Sequence, residues 1–120
     1  SLNFLYTMKL IAKWIIVALT ILALPSFVTG ITVSSFGIAL LVALFFGVLN
    51  TVVRPLILLV AFPITLITFG LFSFVVNAFL FWGVGSFVKG FEVAGFVPAL
   101  IGSLVVSLVS SVMHAVLSKE

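Results

Sequence analysis

Gly47-Val48-Leu49-Asn50-Thr51-Val52-Val53-Arg54-Pro55 closes an apolar run that begins near Phe36. It sets an amide and a guanidinium four residues apart, close to one helical turn, with a proline immediately beyond. A run of this length, uncharged until its end, suits a helix crossing a bilayer core of about 30 Å, which takes about 20 residues. Its terminal polar atoms are where specific contact or mechanism can arise in an otherwise hydrocarbon-like stretch.

Composition extends that reading to the whole chain. The 120 residues are 65% hydrophobic and 6% charged, with a mean hydropathy of +1.62. A soluble domain carries about 25% charged residues, so water is not the solvent for most of this surface. The runs are continuously apolar rather than alternating, which selects helices over barrel strands. The formal charge of +3 is scattered over Lys9, Lys13, Arg54, Lys89 and Lys119, set against Glu92 and Glu120. No basic face is clustered, so nucleic acid is not an expected partner. The absence of cysteine removes disulfide and thiol chemistry. One histidine and two glutamates supply neither a metal cage nor an acid/base pair at working distance. The chain reads as a non-enzyme, with no cofactor and no metal.

Four spans are expected, covering about 10–28, 36–54, 67–88 and 96–117. Residues 1–7 are read as an upstream extension or cloning remnant ahead of Met8, and 8–54 as a first two-helix unit. Residues 55–66 form an apolar connector bracketed by Pro55 and Pro63, and 67–120 a second two-helix unit. The connector could extend the second span, lie in the interface, or dip in and return. Thr29–Ser35 and Lys89-Gly90-Phe91-Glu92 are expected as wet turns, the latter with Lys89 and Glu92 paired, and Ser118-Lys119-Glu120 as the exit. With four spans, Lys9, Lys13, Arg54 and Lys119 fall on one side and Lys89 on the other. The positive-inside rule places that first side, and both termini, in the cytoplasm.

Shifted by 60 residues, the chain matches itself without gaps. Ser26-Phe27-Val28-x-Gly30-x-x-Val33-x-x-Phe36-x-x-Ala39-Leu40 recurs as Ser86-Phe87-Val88-x-Gly90-x-x-Val93-x-x-Phe96-x-x-Ala99-Leu100. Each unit holds two spans, so both enter from the same side, as parallel repeats do. The expected fold is an all-α membrane protein: four transmembrane helices as two tandem parallel two-helix repeats, N-in and C-in.

The polar residues at membrane depth form the candidate functional face. Ser103, Ser107, Ser110 and His114 fall on one stripe of the last span. Asn50 is expected to bond Asn77 across helices, and Arg54, beside Pro55, to satisfy carbonyls freed by the proline or to hold a lipid phosphate. Lys13 is expected to snorkel to the headgroups, Trp14 and Trp82 to sit at membrane level, and Thr65, Thr68 and Gly70 to relax the backbone near Pro63.

Leu24-Pro25, Gly47-Val48-Leu49-Asn50, Val53-Arg54-Pro55-Leu56, Pro63-x-Thr65-Leu66, Gly70-Leu71-Phe72, Val76-Asn77-Ala78 and Gly90-Phe91-x-Val93 together resemble the small bacterial four-span phage holin family, superfamily IV. Leu49-Asn50-x-x-Val53-Arg54-Pro55 is the most specific part. That resemblance implies an asparagine in the first helix after the tryptophan, where this chain has Val17. It also implies a bacterial inner-membrane protein, possible permeabilisation, and membrane lipids and further copies of itself as partners. Three functions follow as expectations: an oligomeric pore or channel subunit, a non-conducting structural protein with a membrane-protein partner in envelope homeostasis, or a small lipid or solute transporter.

Overall fold

The structure, a computed structural model, describes residues 2–68 and 70–117, the Thr65 side chain excepted. The expected exit at 118–120 lies outside the described residues. In order, the elements are α1 (Leu2–Ala23), a 3-10 turn (Leu24–Ser26), β1 (Ile31–Val33), α2 (Phe36–Val60), α3 (Phe62–Ile67), α4 (Leu71–Phe87), β2 (Phe91–Val93) and α5 (Phe96–Leu117). Three segments, Leu2–Ser26, Phe36–Val60 and Phe96–Leu117, are long and apolar enough to cross a membrane, and Leu71–Phe87 is a shorter apolar fourth. At 1.5 Å per residue α4 spans about 26 Å, a shortfall that bilayers absorb cheaply. The architecture is that of a four-helix membrane protein.

Several boundaries differ from the sequence reading. Residues 2–7 are the first turns of α1, so no structural break falls before Met8. Pro25 turns the end of α1 into a 3-10 turn, with Leu24 buried beneath it. The second span does not stop at Arg54: α2 runs through Pro55 to Val60. Proline costs one helical bond, but membrane helices tolerate it where neighbours compensate. The connector is thus first an extension of α2, then the separate short helix α3, which accepts Pro63 in its first turn, where a missing N–H matters least. Thr68 Oγ1 donates to Ile64 O (3.0 Å) and accepts from Phe72 N (3.2 Å). Gly70 supplies the left-handed φ of +88° that starts α4 at Leu71 rather than Ile67.

The all-α expectation also needs correcting. The two turns pair as a short antiparallel ribbon in the register Ile31↔Val93, Thr32↔Glu92 and Val33↔Phe91. Ser34 N donates to Gly90 O (2.8 Å) and Ala94 N to Gly30 O (2.7 Å), extending it at both ends. Gly30 and Gly90 both have positive φ, +101° and +94°, and a Cβ on Gly30 would stand 2.8 Å from Pro98 Cγ. Only glycine satisfies both the backbone and the space there. Glu92 faces Thr32, and no ion pair joins it to Lys89 among the described residues.

Beyond the ribbon the long helices form a ring. α1 packs on α2 and α5, and α4 packs on the same two helices from the other side. Next to the ribbon the ring is filled: Phe81 meets Phe46 and Phe91 edge-on at centroid distances of 5.1 and 5.4 Å, among buried Ile21, Leu24, Val42 and Val84. Residues 60 apart are buried together, as in Ala18 and Ala78, Ile21 and Phe81, Val28 and Val88, Ala39 and Ala99, and Phe46 and Val106.

Candidate functional site

α2 carries Asn50 and Arg54 one turn apart, and both line a cleft of about 540 Å³ between α1, α2 and α5. α1 contributes Lys13, Trp14 and Val17, and α5 contributes Ser107, Ser110 and Ser111. Arg54 lies eighteen residues beyond the start of α2, about 27 Å of helix from the ribbon. The cleft therefore runs from Phe46 of the aromatic core toward the end of the ring away from the ribbon.

Small side chains leave the space open. Ala43, Val17 and Gly47 line it, and a Cβ placed on Gly47 would meet nothing within 4 Å. Trp14 lines one wall: its indole Nε1 donates to Leu40 O (2.9 Å), which ties α1 to α2.

The polar groups divide between this cleft and the opposite seam. Asn77, buried on α4, donates through Nδ2 to Ser107 Oγ (2.8 Å) and Ser103 O (3.3 Å). Its partner is α5, not Asn50 as the sequence suggested, because α4 packs along α5 and turns Asn77 into that interface. Ser103 is fully buried and donates back to Leu100 O (3.1 Å). Asn50 Oδ1 is left buried without a hydrogen-bond partner, as is Asn77 Oδ1. An orphaned acceptor of this kind costs about 1–3 kcal/mol. Arg54 donates through Nη2 to the Ser73 hydroxyl on α4. The guanidinium thus pins α2 to α4 rather than capping the carbonyls released by Pro55.

Of the residues expected on a polar face, the cleft gathers Asn50, Arg54, Ser107 and Ser110. Asn77 and Ser103 belong to the α4/α5 seam, while Pro55 and His114 are exposed and do not line the cleft. The sequence reading missed the inward placement of Lys13 and the role of Ser73. A signal for Lys13 was present: it falls on the stripe Lys13, Val17, Ile21, Leu24, whose other members are buried.

Electrostatically the cleft is one-signed. Lys13 and Arg54 are half-buried, and neither has an acidic partner among the described residues. Glu92, the sole acid among them, sits in the ribbon at the far end. No group of three or more metal-ligating His, Cys, Asp or Glu side chains occurs among the described residues. The arrangement has the charge to attract an anion.

The sequence profile described as "Mycobacterial 4 TMS phage holin, superfamily IV" matches residues 8–112. The "Uncharacterized membrane protein YvlD" of Bacillus subtilis is 30% identical over 112 residues, covering 89% of this chain and 91% of that protein. The "Uncharacterized protein SCO3922" of Streptomyces coelicolor is 40% identical over 82 residues, covering 65% of this chain and 66% of that protein. No solved structure matches the chain.

Proposed function

The chain belongs to the four-span phage holin family, superfamily IV, and from that premise we propose that this multi-pass bacterial membrane protein is a holin-like, non-enzymatic subunit that works as an oligomer. The observation that carries this reading is the packed ring. Phe46, Phe81 and Phe91 occupy the space between the helices next to the ribbon, so a single copy has no continuous path across the bilayer. Any permeation pathway of the kind the family name implies then lies between copies. Liposomes containing the pure protein test this: dye or ion leak that rises more steeply than linearly with protein density supports the reading. Absence of leak at any density contradicts it.

Two arrangements belong to the same proposal. The units 8–54 and 67–120 are tandem parallel repeats about an axis near the membrane normal, joined by 55–66. In support, the register Ile31↔Val93 and Val33↔Phe91 exchanges partners under the 60-residue shift. So do the bonds from Ser34 N to Gly90 O and from Ala94 N to Gly30 O. Both termini are cytoplasmic, since Lys9, Lys13 and Arg54 lie away from the ribbon and Lys89 lies beside it. A reporter fusion after α5 that reports the periplasmic side contradicts this orientation.

A second reading, a non-conducting envelope protein or small lipid handler, is favoured by one feature: the cationic cleft ends blind against the packed core. Under this reading the same liposomes stay tight to dye, ions and protons.

A further inference from the structure

We propose that the cleft between α1, α2 and α5 binds the headgroup of an anionic glycerophospholipid, with phosphatidylglycerol as the probe. Whether copies associate does not affect this assignment. Lys13 and Arg54 lie within membrane-spanning helices and line one cavity. Cations at such depth are normally paired or turned toward water or a ligand. Neither has a carboxylate partner among the described residues. Arg54 commits one amino group to Ser73 Oγ, which holds the guanidinium in place and leaves its other N–H groups to make the fork that suits phosphate oxygens.

Charge selects among the lipid classes. Choline and ethanolamine headgroups each bring a positive charge toward Lys13 and Arg54, which an anionic headgroup does not. The cleft's volume of about 540 Å³ suits a group of this size. Its rim points to a lipid rather than a soluble ester: Leu44 and Val48 line it with about half of their surface exposed, 49% and 51%, an apolar path for an acyl chain.

The test is native mass spectrometry of the full chain in mild detergent, titrated with phosphatidylglycerol, phosphatidylethanolamine and phosphatidylcholine of identical acyl chains. Free sn-glycerol 3-phosphate serves as competitor. Phosphatidylglycerol is expected to bind on the order of tenfold tighter than phosphatidylcholine, the scale of charge-assisted hydrogen bonding. Lys13→Gln removes a cation with no hydrogen-bond partner among the described residues, so the fold survives and the preference falls severalfold. Gly47→Leu fills the cleft without touching its charges and lowers binding as strongly. Lys9→Gln, outside the cleft, keeps the wild-type preference. Equal binding of phosphatidylglycerol and phosphatidylcholine overturns the proposal, as does an unchanged preference in both Lys13→Gln and Gly47→Leu. Displacement of the lipid by glycerol 3-phosphate at comparable concentration overturns the lipid assignment in favour of a soluble phosphate ester.

Discussion

Two seams of the molecule differ: the α4/α5 seam is closed by side-chain hydrogen bonds, whereas a cleft remains where α1 and α2 meet α5. In the closed one, Asn77 reaches Ser107 and Ser103, and Gly102 lets the Phe81 ring and Ile31 approach closely. The positions 60 residues earlier hold Val17, Gly47, Ala43 and Val42. There the asparagine–serine bond has no counterpart among the described residues; Trp14 Nε1 to Leu40 O is a side-chain bond between the two helices. The unfilled volume remains as the cleft, and Asn50 Oδ1 is stranded beside it.

The largest effect expected from this contrast lies in the two glycines. A Cβ on Gly102 would stand 2.7 Å from Ile31 Cδ1 and 2.9 Å from Phe81 Cε2, atoms of buried core side chains. Gly102→Ala is therefore expected to cost about 1–3 kcal/mol, the usual penalty of overpacking. Gly47→Ala meets open space and is expected to be neutral or to gain up to about 1 kcal/mol of helix propensity. Thermal unfolding in one detergent compares them; equal losses would remove the distinction between a packed and an open hairpin.

The asparagines come next. Asn77→Leu breaks two contacts to α5, each worth about 0.6 and at most about 1.7 kcal/mol in membranes. Asn77 Oδ1 is itself an unpartnered acceptor whose removal offsets part of that loss, so a net loss of up to about 1 kcal/mol is expected. Asn50→Leu removes an orphaned acceptor and is expected to leave stability unchanged or raise it. Melting curves that rank the two in reverse would place the essential asparagine on the open side. Smaller still is the Arg54–Ser73 contact. Ser73→Ala is expected to cost about 0.6 kcal/mol. Arg54→Lys is expected to lower the melting temperature while leaving reporter-fusion topology unchanged. If both variants melt as wild type, Arg54 is only a topological anchor.

Much of this was legible in the sequence, for identifiable reasons. Apolar run length and charge placement located the spans, because bilayer thickness leaves few alternatives. The 60-residue shift marked residues that prove to be buried in pairs. The choice of partner for Asn77 was not legible, because it depends on how α5 is rotated against α4, and a stripe of serines is compatible with several rotations. Lys13 was read as reaching the headgroups; that it lines the cleft follows from its stripe with buried Val17 and Ile21. The ribbon was hidden because Ile31-Thr32-Val33 and Phe91-Glu92-Val93 are three-residue strands, too short to show alternation. Whether the second span ends at Pro55 or continues through it stayed open in the sequence, because the proline rule is weaker in lipid than in water.

Rebuilding the missing pair on the open side tests the account most directly. Val17→Asn and Gly47→Ser place on α1 and α2 the residue types that Asn77 and Ser107 place on α4 and α5. A double-mutant cycle read by thermal unfolding isolates their interaction from the cost of each single change. If the hairpins are equivalent and the cleft marks the emptied bond, the pair couples favourably by about 0.6–1.7 kcal/mol. Additivity within about 0.5 kcal/mol would show that Val17 and Gly47 do not face one another as Asn77 and Ser107 do, and would contradict the account.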